Sequence, residues 1–253
     1  MVLPAPARVP AAQLAWLVAD ANLGELHKTL APEARWLPPA GHDTMRREAQ
    51  ELLTALGWRD RFGRLEREVA ASLAVLCRPR VEYYGWITHD GRTIGVLAGR
   101  TGKEALLAVH QADSTVWLSQ TGANRLAERL VAQTPDVPAG SGTPFTVSAS
   151  EVRSTRQDGR QRTPTGVGVR RAGPEVRRAR HLVALPVSGY GELSVATRDE
   201  WGSRRRAAHP LRYTDTSEGR FALLPGVGDD QVRMVPTSRD DLVRHLTGMA
   251  PAQ

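Results

Sequence analysis

The spacing of apolar residues changes along the chain, and it predicts helices before strands. In residues 43–56 apolar side chains recur every three or four positions, and Gly57 follows as a helix stop. Residues 64–77 repeat this spacing and end before Pro79. We therefore predict amphipathic helices over 43–56 and 64–77, with a short helix or strand around residues 14–18.

After Pro79 the apolar period shortens to two, which is the period of a half-buried strand. Asp90-Gly91 separates two such runs, and this dipeptide is a strong hairpin signal. A similar order of elements returns in the second half. The predicted fold class is α+β, an antiparallel β-sheet flanked by helices. The predicted strands cover 82–89, 92–99, 103–110 and 115–119 and then, approximately, 190–198, 208–214, 219–224 and 231–236, with helices near 174–184 and 238–248.

An internal echo indicates that the chain is duplicated. VWLSQTGANRLAERL (116–130) and VRMVPTSRDDLVRHL (232–246) both read as a strand, a threonine cap at Thr121 or Thr237, and a helix. A second echo aligns Tyr84-Gly85 with Tyr190-Gly191. We therefore expect one domain over 1–253, made of two pseudo-twofold-related halves at about 11–135 and 170–250 and joined by an Arg/Gly/Pro-rich linker at about 153–173.

Composition limits the classes of protein that remain. The 41% hydrophobic content is ordinary for a soluble domain, and no apolar run reaches the length of about 18 residues that a membrane span needs. The amino terminus, interrupted by Pro4, Pro6 and Pro10, lacks the apolar core of a signal peptide. Cys77 is the only cysteine, so it can form neither an intramolecular disulfide nor a thiolate cluster. We expect a cytoplasmic protein without stable membrane insertion.

The formal charge of +7 raises the question of nucleic-acid binding. Arginine is densest between residues 153 and 180, but this segment is interrupted by glycine and proline and holds no aromatic residue. A solvated linker is the favoured interpretation, and a phosphate-binding surface is the alternative. A nucleic-acid-binding regulatory protein that uses the Arg-rich segment therefore remains the second functional hypothesis.

Signatures of catalysis are missing from the sequence. Gly140-Ser141-Gly142 has the wrong spacing for a nucleophile elbow, and the seven histidines form no ligand pair at helical spacing. Asp229-Asp230 is predicted in a turn and Asp240-Asp241 in the first turn of a helix, where acidic residues are favourable. We expect no catalytic residue, no metal, no cofactor and no small-molecule substrate.

The segment LRYTDTSEGRFALLP resembles the carboxy-terminal signature of the EspG family of type VII (ESX) secretion chaperones, with Asp215, Thr216, Gly219 and Arg220 at the matching positions. The LGEL element, the run ASLAVLCRP, the Asp-Gly hairpin and the final MVPTSRDDLVRHL occur in the family's order. The resemblance implies a non-enzymatic cytosolic chaperone with a pseudo-twofold α+β fold. It also implies binding to the helical tip of PE/PPE-like or other small helical substrates, which stay soluble before export.

The chain departs from the family's pattern in places, and its Arg-rich linker is also unusual. His27 stands where the family often has proline, and the Asp90-Gly91 turn is shorter than the corresponding loop of some members. The residues of the DTxxGR signature have a local interpretation as well, because an acid before a turn and a glycine within it form a tight hairpin in any fold. We therefore expect this signature to be structural.

Alternation along the strands suggests a surface for the partner. We assume that Val116, Leu118, Val232 and Met234 face the helices and that Ile87 and Leu193 lie on the same core side. Their neighbours along the strands then point to the opposite side of the sheet. Tryptophan and arginine beside small residues are typical of an interface that accepts a helix. The alternative is that the protein's own helices cover this side. The predicted partner-binding residues are Trp86, Thr88, Trp117, Ser194, Ala196, Arg198, Arg233 and Val235.

Overall fold

The computed structural model describes residues 3, 5–33, 38–153 and 172–251. The helices are α1 (Ala11–Asp20), α2 (Pro39–Ala55), α3 (Arg67–Val75), α4 (Leu126–Val131), α5 (Ala149–Arg153), α6 (Pro174–Ala184) and α7 (Arg239–Gly248). The strands are β1 (Ala7–Pro10), β2 (Val81–His89), β3 (Arg92–Thr101), β4 (Glu104–His110), β5 (Thr115–Gln120), β6 (Phe145–Ser148), β7 (Val187–Arg198), β8 (Arg204–Arg206), β9 (Leu211–Thr216), β10 (Gly219–Pro225) and β11 (Gln231–Pro236).

The strands form one antiparallel sheet, so the predicted α+β class is confirmed. Its order is β1-β5-β4-β3-β2-β7-β9-β10-β11-β6, and β8 pairs with the end of β7. From the central pair outward, one half contains β2, β3, β4, β5 and β1, and the other contains β7, β9, β10, β11 and β6. The two halves thus contain corresponding strands in the same order. An internal duplication would produce this order, and it places β6 and α5 in the second half. The boundaries predicted from the sequence left out β1, β6 and α5.

Helices cover parts of both faces of the sheet. On the front face, α1, α2 and α3 pack over the N-terminal strands, and α6 packs over β6, β10 and β11 at the other side. On the back face, α4 and α7 contact each other over the centre of the sheet. The echoed leucines of the two helices share one buried cluster there, Leu126 and Leu130 with Leu242 and Leu246.

The predicted hairpin between β2 and β3 forms with Asp90 and Gly91 both at positive φ, 48° and 73°, as a type I′ turn requires. The predicted caps of the two echoed helices are wrong. Helix α4 follows Arg125 rather than Thr121 and has no side-chain cap. Helix α7 is capped by Ser238, which forms a capping box with Asp241, whereas Thr237, the residue before it, is buried.

The DTxxGR signature forms a buried ion pair at the β9–β10 hairpin. Asp215 and Arg220 are both fully buried, and two guanidinium nitrogens of Arg220 donate to the carboxylate at 2.6 and 2.8 Å. Arg220 also donates to Thr134 Oγ1 at 3.1 Å and to the Pro135 carbonyl at 2.9 Å. The signature therefore ties the hairpin to the segment after α4, in agreement with the structural role expected for it.

Most of the predicted linker, residues 154–171, lies outside the described residues. The predicted linker begins at Arg153, the last residue of α5, and ends just before α6, which begins at Pro174. Within the described part of the chain, no helix is both long and apolar enough to cross a membrane.

Candidate functional site

The centre of the front face is left open between the helices of the two halves. We call this opening the central groove. Its cavity of about 230 Å³ lies over β2, β7 and β9. Tyr190 lies on the same face and is 54% exposed. The residues lining the cavity are Lys28, Tyr84, Trp86, Glu192, Ser194, Arg206, Pro210 and Arg212.

The groove lies at the symmetry centre of the sheet. Gly85 pairs with Leu193, and Ile87 pairs with Gly191. The Tyr-Gly echo equates Gly85 with Gly191, so exchange of the two halves maps each of these pairs onto the other. The axis of this exchange runs through the pair formed by Trp86 and Glu192.

The predicted partner-binding residues lie on two faces rather than one. Trp86 is in register with Gly95, His110 and Val116, all on the front face. Trp117 is in register with Val109, which belongs to the buried cluster under α4 and α7. Trp86, Thr88, Ser194, Ala196 and Arg198 are therefore on the front face, and Trp117, Arg233 and Val235 are on the back face.

The physical reason for this error is that both faces of the sheet are partly covered by helices. Val116 and Leu118 pack against the helices of the front face, whereas Ile87 and Leu193 pack against those of the back face. The assumption that all four residues point to one core is wrong. The alternation within each strand was interpreted correctly. The error was to give the core-facing residues of β5 the same face as those of β2 and β7, whereas they lie on opposite faces.

Burial removes one further residue from the predicted surface. Ala196 has no exposed area, because it belongs to the cluster packed against the N-terminal helices. Ser194 is 6% exposed at the floor of the groove. A docked partner can reach the Ser194 hydroxyl at most, whereas Trp86 and Thr88 are only partly buried.

An aromatic floor with a cation above it is the main chemical feature of the groove. Lys28 Nζ lies 4.8 Å from the ring centroid of Trp86 and 5.1 Å from that of Tyr84. His27 meets Tyr84 edge to face at 4.7 Å, and its Nδ1 lies 2.9 Å from Thr29 Oγ1. Burial, with the nearby charge of Arg204, lowers the pKa of His27 to about 3. The imidazole is therefore neutral at physiological pH.

A buried acid fixes the end of the groove. Glu82 is 1% exposed, and its Oε1 accepts a hydrogen bond from Arg204 Nε at 2.5 Å. Burial raises the pKa of Glu82 above its usual value, although the guanidinium of Arg204 opposes the shift. Arg204 also lies 5.3 Å from the ring centroid of Tyr84. This contact ties β8 to the aromatic floor.

Charges at the rim of the groove are predominantly positive. Arg212 Nε donates to Glu192 Oε2 at 2.9 Å, which pairs the groove's own acid. Within the described residues, no acidic side chain pairs with Lys28 or Arg206, and both are exposed. The groove therefore presents an aromatic floor between two cations that have no ionic partner.

Sequence reasoning missed several residues of the groove. Lys28 and Arg212 carried no motif, because their position depends on how a loop and a strand of different halves pack. Tyr190 did carry a signal, since it is part of the Tyr-Gly echo. The pairing of Tyr190 with Thr88 across the central strands places it on the front face beside Trp86.

The other polar groups of the described chain do not form a metal site. No cluster of three or more His, Cys, Asp or Glu side chains is placed to hold an ion there. Cys77 is buried just after α3, and burial raises its thiol pKa to about 11. It is therefore a thiol, not a thiolate, at neutral pH.

Comparison with known proteins gives concordant results. A solved structure of the type VII secretion system chaperone EspG5 of Mycobacterium tuberculosis, in complex with a PE25–PPE41 dimer, has the same fold. The TM-score is 0.66 at 15% sequence identity, and the match covers 97% of each chain. Comparison with curated protein sequences gives no significant match. A model of the EspG family matches residues 10–248, so this chain belongs to the EspG family.

Proposed function

We propose that this chain is a non-enzymatic chaperone of a type VII secretion system. It acts in the cytoplasm, binds the helical tip of a PE/PPE-like substrate and keeps that substrate soluble before export. Membership of the EspG family supports this function, as does the fold shared with a chaperone whose structure contains a PE25–PPE41 dimer. The observation that carries the proposal is the open central groove on the front face.

The dimensions of the groove suit a single helix tip. The open strip runs from β2 across β7 to β9, and neighbouring strands lie about 4.8 Å apart. Its width is therefore about 10 Å, close to the diameter of an α-helix with its side chains. Trp86 and Tyr190 offer apolar area on the floor. Aromatic and arginine side chains are enriched at protein interfaces, which favours a protein partner.

The front face is preferred over the back face because its residues converge. Trp117 is 49% exposed on the back face, but Arg233 and Val235 lie at the other side of the sheet, beyond α4 and α7. These three residues do not form one surface. Among the predicted residues, those proposed to contact the partner are Trp86, Thr88 and Ser194, with Arg198 at the end of the strip.

The first step of the test identifies the partner. The tagged chain is expressed in its native host, and PE/PPE-like heterodimers that co-purify are identified by mass spectrometry. Each is then produced separately and mixed with the purified chain. We expect a stoichiometric complex by size-exclusion chromatography, and failure of every such heterodimer to bind would contradict the proposed function.

The second step locates the contact. Replacing Trp86 with Ala should weaken heterodimer binding by about 1 to 4 kcal/mol, as expected for a buried aromatic anchor. Trp117→Ala is the matched control, because it removes a similar side chain from the opposite face. Unchanged melting temperatures would separate binding from folding. Equal effects of the two substitutions, or a larger effect of Trp117→Ala, would contradict the assignment to the groove.

A further inference from the structure

The two halves differ in the hairpin that follows their central strand. The symmetry that equates Gly85 with Gly191 equates the Asp90-Gly91 turn with residues 196–197. The chain does not turn there. Strand β7 continues to Arg198, and the turn is centred on Trp201, four residues beyond the equivalent position. At about 3.3 Å per residue, the second hairpin extends roughly 13 Å further than the first.

The tip of this hairpin is built to present Trp201. Asp199 Oδ1 accepts hydrogen bonds from the backbone N–H groups of Trp201 and Ser203 at 3.0 and 2.8 Å. Gly202 completes the turn at a φ of +82°, which favours glycine. Trp201 is nevertheless 85% exposed. Tryptophan is enriched at protein interfaces, so a shaped turn that holds its side chain in solvent favours a contact with a partner.

The hairpin is continuous with the central groove. Arg206 pairs across the strands with Ala196, so it lies on the front face, and its side chain lines the groove. Arg204 is fixed by its bond to the buried Glu82 carboxylate. The Ala207 N–H donates to the Val195 carbonyl at 2.9 Å, which holds the returning arm against β7. The tip is thus held at one end of the groove by buried contacts.

The arms of the hairpin are basic. Arg198, Arg205 and Trp201 line a second cavity of about 510 Å³ at the tip, together with Arg80 and the acids Asp199 and Glu200. Asp199 is occupied by the turn. Arg206 is exposed on the front face, and no acidic side chain of the described residues pairs with it. Arg205 is exposed as well, but it pairs across the strands with Thr197 and therefore lies on the back face. A partner that crosses this end of the groove would meet Trp201 and the unpaired guanidinium group of Arg206.

We infer that the β7–β8 hairpin, residues 198–206, is a clamp that closes one end of the central groove over the helical substrate. Trp201 packs on apolar residues at the side of the substrate's tip, and Arg206, on the front face, pairs with acidic residues next to them. This inference rests on the proposed function and adds a chemical requirement to it. The substrate must carry acidic side chains beside its apolar tip, on the side that faces the hairpin.

The geometry favours a protein partner over a nucleic acid or a lipid surface. Single-stranded nucleic acids are bound by successive aromatic side chains along a basic groove. Within the described residues of this hairpin, Trp201 is the one aromatic side chain. Glu200, which is exposed beside Trp201, would oppose insertion of the tip into an anionic membrane. Continuity with the groove through Arg206 instead places the tip next to the proposed protein substrate.

The test uses the purified PE/PPE-like heterodimer that forms a complex with the wild-type chain. Trp201→Ala should weaken its binding about tenfold or more, and Trp201→Phe should restore most of the affinity. Arg206→Gln should weaken binding at low salt and reduce its salt dependence, whereas Arg205→Gln, on the opposite face, should change neither. Phe62→Ala is the matched control, because Phe62 is 64% exposed and also lies beside two arginines, but on the connection between α2 and α3. It should change affinity less than twofold.

The outcomes distinguish the clamp from the function on which it rests. A Trp201→Ala variant that binds within twofold of wild type, while Trp86→Ala binds weakly, would overturn the clamp and leave the chaperone function standing. If no heterodimer binds the wild-type chain, both proposals fail. Sedimentation with phosphatidylglycerol vesicles and titration with a single-stranded oligonucleotide complete the test. If Trp201→Ala abolishes either of these interactions without changing heterodimer affinity, the hairpin serves a different partner and the clamp is wrong.

Discussion

The buried pair of Asp215 and Arg220 supplies the most quantitative prediction about the fold. Replacing Arg220 with Met keeps much of the side-chain volume but removes the positive charge. The Asp215 carboxylate, which has no exposed area, then loses two hydrogen bonds of 2.6 and 2.8 Å and its counter-ion. Thr134 and the Pro135 carbonyl each lose a donor as well.

The expected cost follows from the unpaired acid. Removing one member of a buried ion pair costs about 3–5 kcal/mol, because the other charge stays in a medium of low polarity. The whole stability of a typical domain is about 5–15 kcal/mol, so Arg220→Met should remove a large share of it. Urea unfolding followed by circular dichroism at pH 7 measures this loss.

Two further variants test the physical reason. Combining Asp215→Leu with Arg220→Met should recover much of the loss, because no charge is then left without a partner. Arg8→Gln breaks a pair with Asp113 in which both side chains are about half exposed, and it should cost no more than about 1 kcal/mol. An Arg220→Met variant within about 1 kcal/mol of wild type would refute the reasoning.

Two other substitutions address the groove and the central strands. His27→Gln should flatten the dependence of stability on pH: the folded-state pKa of about 3 lies below the usual value of about 6.5, so stability is present above pH 6.5 and is lost as the pH falls. The wild type should lose about 2 kcal/mol more than the variant between pH 7 and pH 5 in urea titrations, and equal losses would mean that His27 is not buried as described. Gly85→Ala would place a Cβ 2.2 Å from the Glu192 carbonyl oxygen, so we expect a loss of about 1–3 kcal/mol or more in thermal unfolding. Gly248→Ala, with no atom within 4 Å of the added Cβ, is the control, and similar melting of the two variants would contradict the central strand register.

Local patterns predicted the elements of this fold well, because the interactions that determine them join residues that are close in the sequence. The Asp90-Gly91 turn needs two positive φ angles, and this dipeptide tolerates them. The strands β2 to β5 and the helix α6 lie within a few residues of their predicted bounds. The strands β1 and β6 were missed, since each has four residues at an edge of the sheet and too few positions to show alternation.

The groove could be predicted only in part, because its geometry depends on packing between distant segments. Alternation correctly placed Trp86 and Thr88 on the same face of β2. It could not show which residues of β5 lie on that face of the sheet. Trp117 was therefore assigned to the wrong side. Lys28 reaches the aromatic floor from a loop that precedes the central strand by more than 50 residues, and no sequence period reports such a contact.

The most direct test of the central claim asks which face of the sheet touches the substrate. A photo-reactive phenylalanine analogue is placed at Tyr190 on the front face or at Trp117 on the back face, two aromatic positions that are 54% and 49% exposed. Each protein is irradiated in complex with the PE/PPE-like heterodimer, and the cross-linked peptides are identified by mass spectrometry. Our account predicts cross-links from position 190 to the helical tip of the heterodimer and none from position 117. Cross-links to the tip from position 117, with none from position 190, would contradict it.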